Sequence, residues 1–325
     1  MMKTHFVARG IAIVVGAVHV ALAQAQPFPS KPITLVVPFA PGASADGIAR
    51  VIARDVAATL GQPVIVDNRP GGGGATGLLA VARAAADGYT IGLGATGAIA
   101  VNPHLPDAAP LKPQTELRPI AKLADIPLVF VAGKGAGFPT LREFIDKSAN
   151  SKEGVSYGNS GQYTSQHLAG ELLANLTKTK MVSVPYRGSG PAITDLLGGQ
   201  LPVAMVDLTS AYPQVKAGSL IALGVTSPAR TTVAPEIPTL AEAGAKGYSA
   251  VAWMGLFAPV KAPDAVVKQL SDAVRTAIEK PEIKVQILSL SAEPSYLESA
   301  AFDRFIHGES KKWADLIRTI PKPAK

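Results

Sequence analysis

Short apolar runs alternate with amphipathic stretches of helical period along most of this chain. Residues 33–37 (ITLVV), apolar but for Thr34, read as a strand. Pro38 and a small-residue loop follow. An amphipathic helix then begins near Ser44, with Ile48, Val51, Ile52, Val56 and Leu60 on one face and Gly61 as its stop. Residues 63–67 form the next strand candidate, Asn68-Arg69-Pro70 and the four glycines 71–74 interrupt the pattern, and 77–86 are helical. Asp87-Gly88 turns into a buried strand over 89–94. Such strand–helix steps in succession predict a parallel sheet with helices on both faces.

The pattern changes over 102–120, where Pro103, Pro106, Pro110, Pro113 and Pro119 exclude a regular helix. This segment is expected to cross the surface towards a second domain. That domain opens with a strand over 128–132, and Thr140-x-x-Glu143 is a capping box for the helix that follows. Further strands are expected at 154–157, 181–184, 203–206 and 220–225, with helical patterns between them. The apolar stretch 251–260 is placed to return the chain to the first domain. A strong helix follows over 263–280, with Pro263 near its start and Val266, Val267, Leu270, Val274 and Ile278 on one side. A last amphipathic helix spans about 300–320, and 321–325 are expected to fray.

Composition adds the compartment. The chain has 325 residues, 47% of them apolar, enough for two domains with their own cores. Lys3 and Arg9 precede an apolar core over 11–22 and the small-x-small triplet Ala23-Gln24-Ala25. This is the layout of an export signal, with cleavage after Ala25 and Ala23 as the next choice. Its removal lowers the formal charge from +7 to about +5. The mature protein is expected in the periplasm. There is no cysteine, hence no disulfide and no lipid anchor at the mature N-terminus. No basic run is interleaved with aromatics, so nucleic acid is not an expected partner. Two of the five histidines lie in the leader, and neither an HExxH nor an EF-hand pattern occurs, so no metal or cofactor is expected.

Several motifs compete for the chemistry. Gly92-Leu93-Gly94-Ala95-Thr96-Gly97 matches the dinucleotide fingerprint after a strand, but Pro103 leaves little room for the required helix and Glu116 falls in the proline-rich segment. Gly72-x-Gly74-x-x-Gly77 leads into a helix, yet Arg69-Pro70 separate it from its strand. Both read as small-residue turns that let a ligand touch main chain. Neither Gly158-Asn159-Ser160-Gly161-Gln162 nor Arg187-Gly188-Ser189-Gly190-Pro191 is a nucleophile elbow. Ser160, His167 and Asp207 remain candidates for a triad that meets in space, against the reading of His167 as a packed residue beside Leu168. The stretch GNSGQYTSQHLAGE (158–171) turns after a strand, and Thr164 or Ser165 N-caps a helix. It mirrors the loop before Ser44. Two helix N-termini facing one another across a cleft would hold a small dianion by main-chain donors.

At these residues the chain resembles the Bug (TctC-like) extracytoplasmic receptors, the solute-binding components of tripartite tricarboxylate transporters. The matching strings are PSKPITLVVPFAPGASAD, VIVDNRPGGGGATG with ARAAADGYT, VPYRGSGPAITDLLGGQ, LIALGVTSPAR, IPTLAEAG, and Trp253 with GLFAP, in order over nearly the whole mature chain. The resemblance implies an α/β type II periplasmic-binding-protein fold, in which each of two lobes is a mixed, mostly parallel sheet flanked by helices. It implies 1–25 as the leader, 26–125 and 251–325 as lobe 1, and 126–250 as lobe 2. It carries ligand contacts onto Phe39, Ala40, Gly42, Ala43, Ser44 and Asp46, onto Thr96, Gly97 and Ala98, and onto Ser160, Gly161, Thr164, His167 and Asp207. The implied function is a monomeric, non-enzymatic receptor that closes on a small carboxylate and delivers it to membrane transporter subunits. Alternatives are a ligand sensor for a membrane kinase and a periplasmic serine hydrolase. Asp46 is expected either to cap its loop or to meet an ammonium or hydroxyl of the ligand.

Three departures from the family pattern bear on the ligand. Ala43 and Ala45 replace a glycine and a hydroxyl residue, Ile99 stands where many members have histidine, and Tyr163 stands where glycine is common. Tyr163 is therefore added to the candidate site, where it either narrows the pocket or stacks on a ring. Together these changes point to a less polar pocket, suited to an aromatic or apolar monocarboxylate.

Overall fold

The computed structural model describes residues 28–105, 108–290 and 292–320. The leader with its cleavage after Ala25 and the fraying expected of 321–325 lie outside them.

The first sheet is built around β1 (Ile33–Val37), with β2 (Val64–Asn68) and β3 (Thr90–Ala95) parallel on either side of it. Flanked on both edges, β1 buries Ile33, Leu35, Val36 and Val37 and leaves Thr34 half-buried. Helix α1 (Ser44–Leu60) joins β1 to β2 and presses Ile48, Ile52 and Val56 into the same core. Each such side chain contributes roughly 1.5–3 kcal/mol. The helix stops at Gly61, whose φ of 69° is left-handed and whose N–H donates to Ala57 O at 2.9 Å. Helix α2 (Ala75–Ala82) joins β2 to β3.

The proline-rich stretch is only partly a surface crossing. After one wide turn (Gly97–Val101) and the short helix α3 (Pro113–Glu116), the chain enters β4 (Leu117–Ile126), an interior strand of the first sheet. Pro119 sits inside it without breaking it, because the register with the neighbouring strand shifts between Leu256 and Phe257, the residue opposite Pro119. A bulge there accommodates the missing N–H.

Pro127 alone separates β4 from β5 (Leu128–Gly133), the first strand of the second sheet. There follow α4 (Leu141–Ala149), β6 (Val155–Asn159), α5 (Ser165–Thr177), β7 (Met181–Pro185), α6 (Ser189–Leu197), β8 (Val203–Asp207), α7 (Leu208–Lys216) and β9 (Leu220–Val225). Thr140 caps α4 as its sequence predicts, accepting the Glu143 N–H at 3.2 Å. The chain then returns to the first sheet through β10 (Ala252–Pro259), α8 (Asp264–Glu279), α9 (Pro281–Ser289), β11 (Glu293–Glu298) and α10 (Ser299–Ile317).

The strand orders are β11-β4-β10-β3-β1-β2 and β7-β6-β8-β5-β9. Both sheets are mixed, and helices flank each, so the molecule is a two-lobed α/β protein. The parallel share is smaller than the sequence suggests. β4, β10 and β11 pair antiparallel in the first sheet, as β5 does with β8 and β9 in the second. The stretch around β10 is thus more than a return path, since it fills the space between β3 and β4.

Candidate functional site

Strand ends from both sheets converge on a cleft of about 300 Å³. Lobe 1 lines it with Phe39 after β1, with Gly73, and with Ala95, Thr96, Gly97 and Ala98 at the end of β3. The crossings add Ile126 at the end of β4 and Ala252, Trp253 and Met254 at the start of β10. Lobe 2 adds Thr164, Ser165 and Gln166 at the start of α5 and Asp207 at the end of β8. Asp207 is the one ionisable residue among these described lining residues.

The α5 end is capped by Thr164. Its Oγ1 accepts the His167 N–H at 3.2 Å, and its hydroxyl donates to Gly161 O at 2.7 Å. The next main-chain N–H groups, those of Ser165 and Gln166, have no acceptor within the helix and carry the positive end of its dipole. On the opposite lip, Thr96 Oγ1 accepts the Trp253 N–H at 2.7 Å and ties the end of β3 to the start of β10.

Asp207 is held by three contacts. Gln166 Nε2 donates to Oδ1 at 2.8 Å, Ser189 Oγ donates to Oδ2 at 2.8 Å, and the Asp207 N–H donates back to Ser189 Oγ at 3.2 Å. Ser160 Oγ lies 3.1 Å from Ser189 Oγ. Because the Ser189 proton is committed to Asp207, Ser160 is the donor in that pair. This arrangement bears on the triad. Ser160 bonds to Ser189, Asp207 to Ser189 and Gln166, and His167 Nδ1 accepts the Tyr163 N–H at 3.0 Å. The hydroxyl, ring and carboxylate are each engaged elsewhere and form no proton relay.

His167 belongs to a different environment. It is 4% exposed, and with Gln162, Glu171, Ser183 and Ile320 it lines a second pocket of about 390 Å³. Burial pulls the imidazole down to about 4, so it is neutral near neutral pH. Tyr163 has a φ of 58° and stacks edge-on against His167 with ring centroids 5.9 Å apart. Gly161 donates its N–H to Asn159 Oδ1 at 3.0 Å. Ser160, Gly161, Tyr163 and His167 therefore shape the loop into α5, while Thr164, Ser165 and Gln166 face the cleft.

The first loop divides in the same way. Phe39 lines the cleft, whereas Ala40, Gly42, Ala43 and Asp46 form a turn bonded to itself ahead of and within α1, which Ser44 opens. The Ala43 N–H donates to Ala40 O at 3.2 Å and the Gly42 N–H to Asp46 Oδ2 at 3.0 Å. Asp46, 4% exposed, also accepts from Arg50 Nε at 3.1 Å and Asn68 Nδ2 at 2.9 Å. Burial alone would raise this carboxyl, but the bonds from Arg50, Gly42 and Asn68 outweigh it and hold it at about 2. Of its two expected roles, Asp46 takes the loop cap.

The first two glycines of the dinucleotide-like motif have a packing explanation, whereas a Cβ on Gly97 would meet nothing within 4 Å. A Cβ on Gly92 would lie 2.7 Å from Val81 Cγ2, and one on Gly94 would lie 2.5 Å from Phe257 Cε2. These positions admit α2 and β10 side chains against β3.

Residues 48–321 match the family model described as the tripartite tricarboxylate transporter family receptor. The chain belongs to this family of solute-binding receptors. It is 33% identical over 296 residues to protein BugT of Bordetella pertussis, covering 91% of each chain. A TctC solute-binding protein from Polaromonas, solved without ligand, superposes with a TM-score of 0.82 at 27% identity, over 90% of this chain and 100% of that one. MatC from Rhodopseudomonas palustris, solved with bound malate, superposes at 0.70 with 30% identity, over 89% and 100%.

Within this receptor family, the departures at Ala45 and Ile99 fall on buried core positions, 2% and 1% exposed, outside the cleft lining. The apolar character of the cleft comes instead from Phe39, Ile126 and Met254. Ile126, Gln166, Trp253 and Met254 had no place in the sequence-based site. Gln166 had a usable signal, a polar side chain in the first turn beside the capping Thr164.

Proposed function

We propose that the protein is a periplasmic receptor that captures a small carboxylate in the interlobe cleft, closes its lobes over it, and hands it as a monomer to the membrane subunits of a tripartite tricarboxylate-type transporter. The observation that carries this reading is the cleft itself, lined on one side by the first turn of α5, whose leading main-chain donors have no acceptor within the helix, and on the other by a mostly neutral, partly apolar wall from the other lobe and the crossings. The bound malate of MatC supports the ligand class. The narrow connections support the motion. One is Pro127, and the other is the step from Ala250 into β10; the two lie side by side, since the Ala250 N–H donates to Thr226 O at 3.0 Å and the Leu128 N–H donates to Thr226 Oγ1 at 3.0 Å. Lobes of 26–125 with 251–325, and of 126–250, would pivot there as in other hinged binding proteins. The bonding of Ser160, His167 and Asp207 suits binding without turnover.

The test is a thermal-shift screen of the mature protein against dicarboxylates, hydroxy acids, amino acids and benzoates. A ligand at about a hundred times its dissociation constant adds about 2.7 kcal/mol to stability. A rise in Tm with at least one small carboxylate is expected. A flat response to the whole set at millimolar concentration contradicts the reading.

A further inference from the structure

We propose that the cleft selects a monocarboxylate bearing a hydrogen-bond donor, hydroxyl or ammonium, at its far end, and that Asp207 makes the selection. The inference rests on the receptor reading above and deepens it.

No lysine, arginine or histidine stands among the described residues lining the cleft, and the only ionisable one there is a carboxylate. One ligand carboxylate is accommodated by the main-chain N–H groups of Ser165 and Gln166. A second would face Asp207 with no cation between them, in a partly enclosed site where like charges repel strongly. The protons around Asp207 are already assigned. Ser189 receives the Asp207 N–H and so must donate to Oδ2, and Ser160 in turn donates to Ser189. Gln166 spends one of its two amide protons on Oδ1, and its carbonyl oxygen is a further acceptor. Beside the one remaining Gln166 amide proton, what this side presents to a ligand is mainly acceptors: the remaining lone pairs of Asp207, which carry the charge, and the Gln166 carbonyl. A donor on the ligand satisfies them, and a carboxylate does not. Phe39, Ile126 and Met254 add apolar surface to the same cleft, which suits a short aliphatic spacer.

The experiment is calorimetric titration of wild type and Asp207→Asn with a five-carbon series: valerate, its terminal hydroxyl and amino derivatives, and glutarate. In wild type the hydroxyl or amino acid is expected to bind at least about tenfold more tightly than glutarate. In Asp207→Asn that ratio is expected to fall at least about tenfold, with glutarate gaining affinity and the amino derivative losing it. Glutarate as the tightest ligand of wild type overturns the inference and leaves the receptor reading standing. So does an unchanged ratio in an Asn variant whose circular dichroism and Tm match wild type. If the Asn variant does not fold, the wild-type ranking decides alone. Binding of no carboxylate at all overturns the receptor reading and this inference with it.

Discussion

The main-chain N–H of Tyr163 donates to Nδ1 of His167 at 3.0 Å, which holds a neutral imidazole beneath the loop that enters α5. An imidazole that accepts at Nδ1 carries its proton at Nε2, so protonation must break this bond. Nε2 lies 3.7 Å from Glu171 Oε1, and that carboxyl is itself raised by burial while it accepts from the Tyr157 hydroxyl at 2.8 Å. The folded pKa of about 4 lies below the ordinary 6.5. The unfolded chain therefore takes up the proton first as the pH falls. The His167 contribution is fully present above about pH 6.5, declines below it, and is gone below about pH 4, a loss of about 3 kcal/mol. Urea unfolding at pH steps across this window measures it. His167→Gln is expected to flatten the slope there, and an unchanged slope contradicts the assignment.

Asp46 governs a separate and more acidic window. Its carboxyl is held at about 2 against an ordinary 3.8, so its stabilisation is present above about pH 4 and is lost as the pH falls through about 2. Asp46→Ala leaves the Gly42 N–H and one of the two Asn68 amide protons without an acceptor and is expected to cost about 2 kcal/mol at neutral pH, measured by urea unfolding. Asn68 Nδ2 also approaches Phe39 O at 3.1 Å, so the variant should weaken ligand binding through a displaced Phe39 as well.

Thr164 caps α5 and positions the two donors assigned to the ligand carboxylate. Thr164→Ala should lower stability by about 1 kcal/mol and weaken binding, while Thr164→Ser keeps both bonds and should restore both properties. Stability is read by chemical unfolding and affinity by calorimetry. Wild-type affinity in the Ala variant would place the carboxylate away from α5.

Two glycines should respond in opposite ways. A Cβ at Gly42 meets nothing within 4 Å, but its φ of 84° is strained for a β-branched residue. Gly42→Val is expected to leave the fold in place and to abolish binding by reshaping the loop that carries Phe39. At Gly94 a Cβ would lie 2.5 Å from Phe257 Cε2 inside the core, so Gly94→Ala should destabilise by about 1–3 kcal/mol. Circular dichroism and Tm separate the two outcomes.

The legible parts of the fold share one property: their signal is local. The apolar run of β1, the stop at Gly61, the Thr140 and Thr164 caps and the strand Leu220–Val225 all depend on residues within a turn or two. β4 was hidden because Pro119 argues against a strand, and only its partner in β10, more than a hundred residues later, supplies the register shift that tolerates it. β11 (EPSYLE) carries a glutamate at each end and a proline, with no apolar run to announce it. The site divides on the same line. The α5 end was readable from its hydroxyl cap. Ile126, Trp253 and Met254 reach the cleft through sheet pairing, as the Thr96–Trp253 bond across 157 positions illustrates. Asp46 and His167 were polar residues in the right loops, but sequence proximity does not say which neighbour takes their hydrogen bonds.

The central claim is that the interlobe cleft, and not the pocket beside His167, holds a small carboxylate. The structure of the mature protein with the carboxylate that raises its Tm most tests this directly. The ligand carboxylate is expected within hydrogen-bond distance of the Ser165 or Gln166 main-chain N–H, with the donor end of the ligand at Asp207. A ligand seated between His167 and Glu171, or outside the cleft altogether, would contradict it.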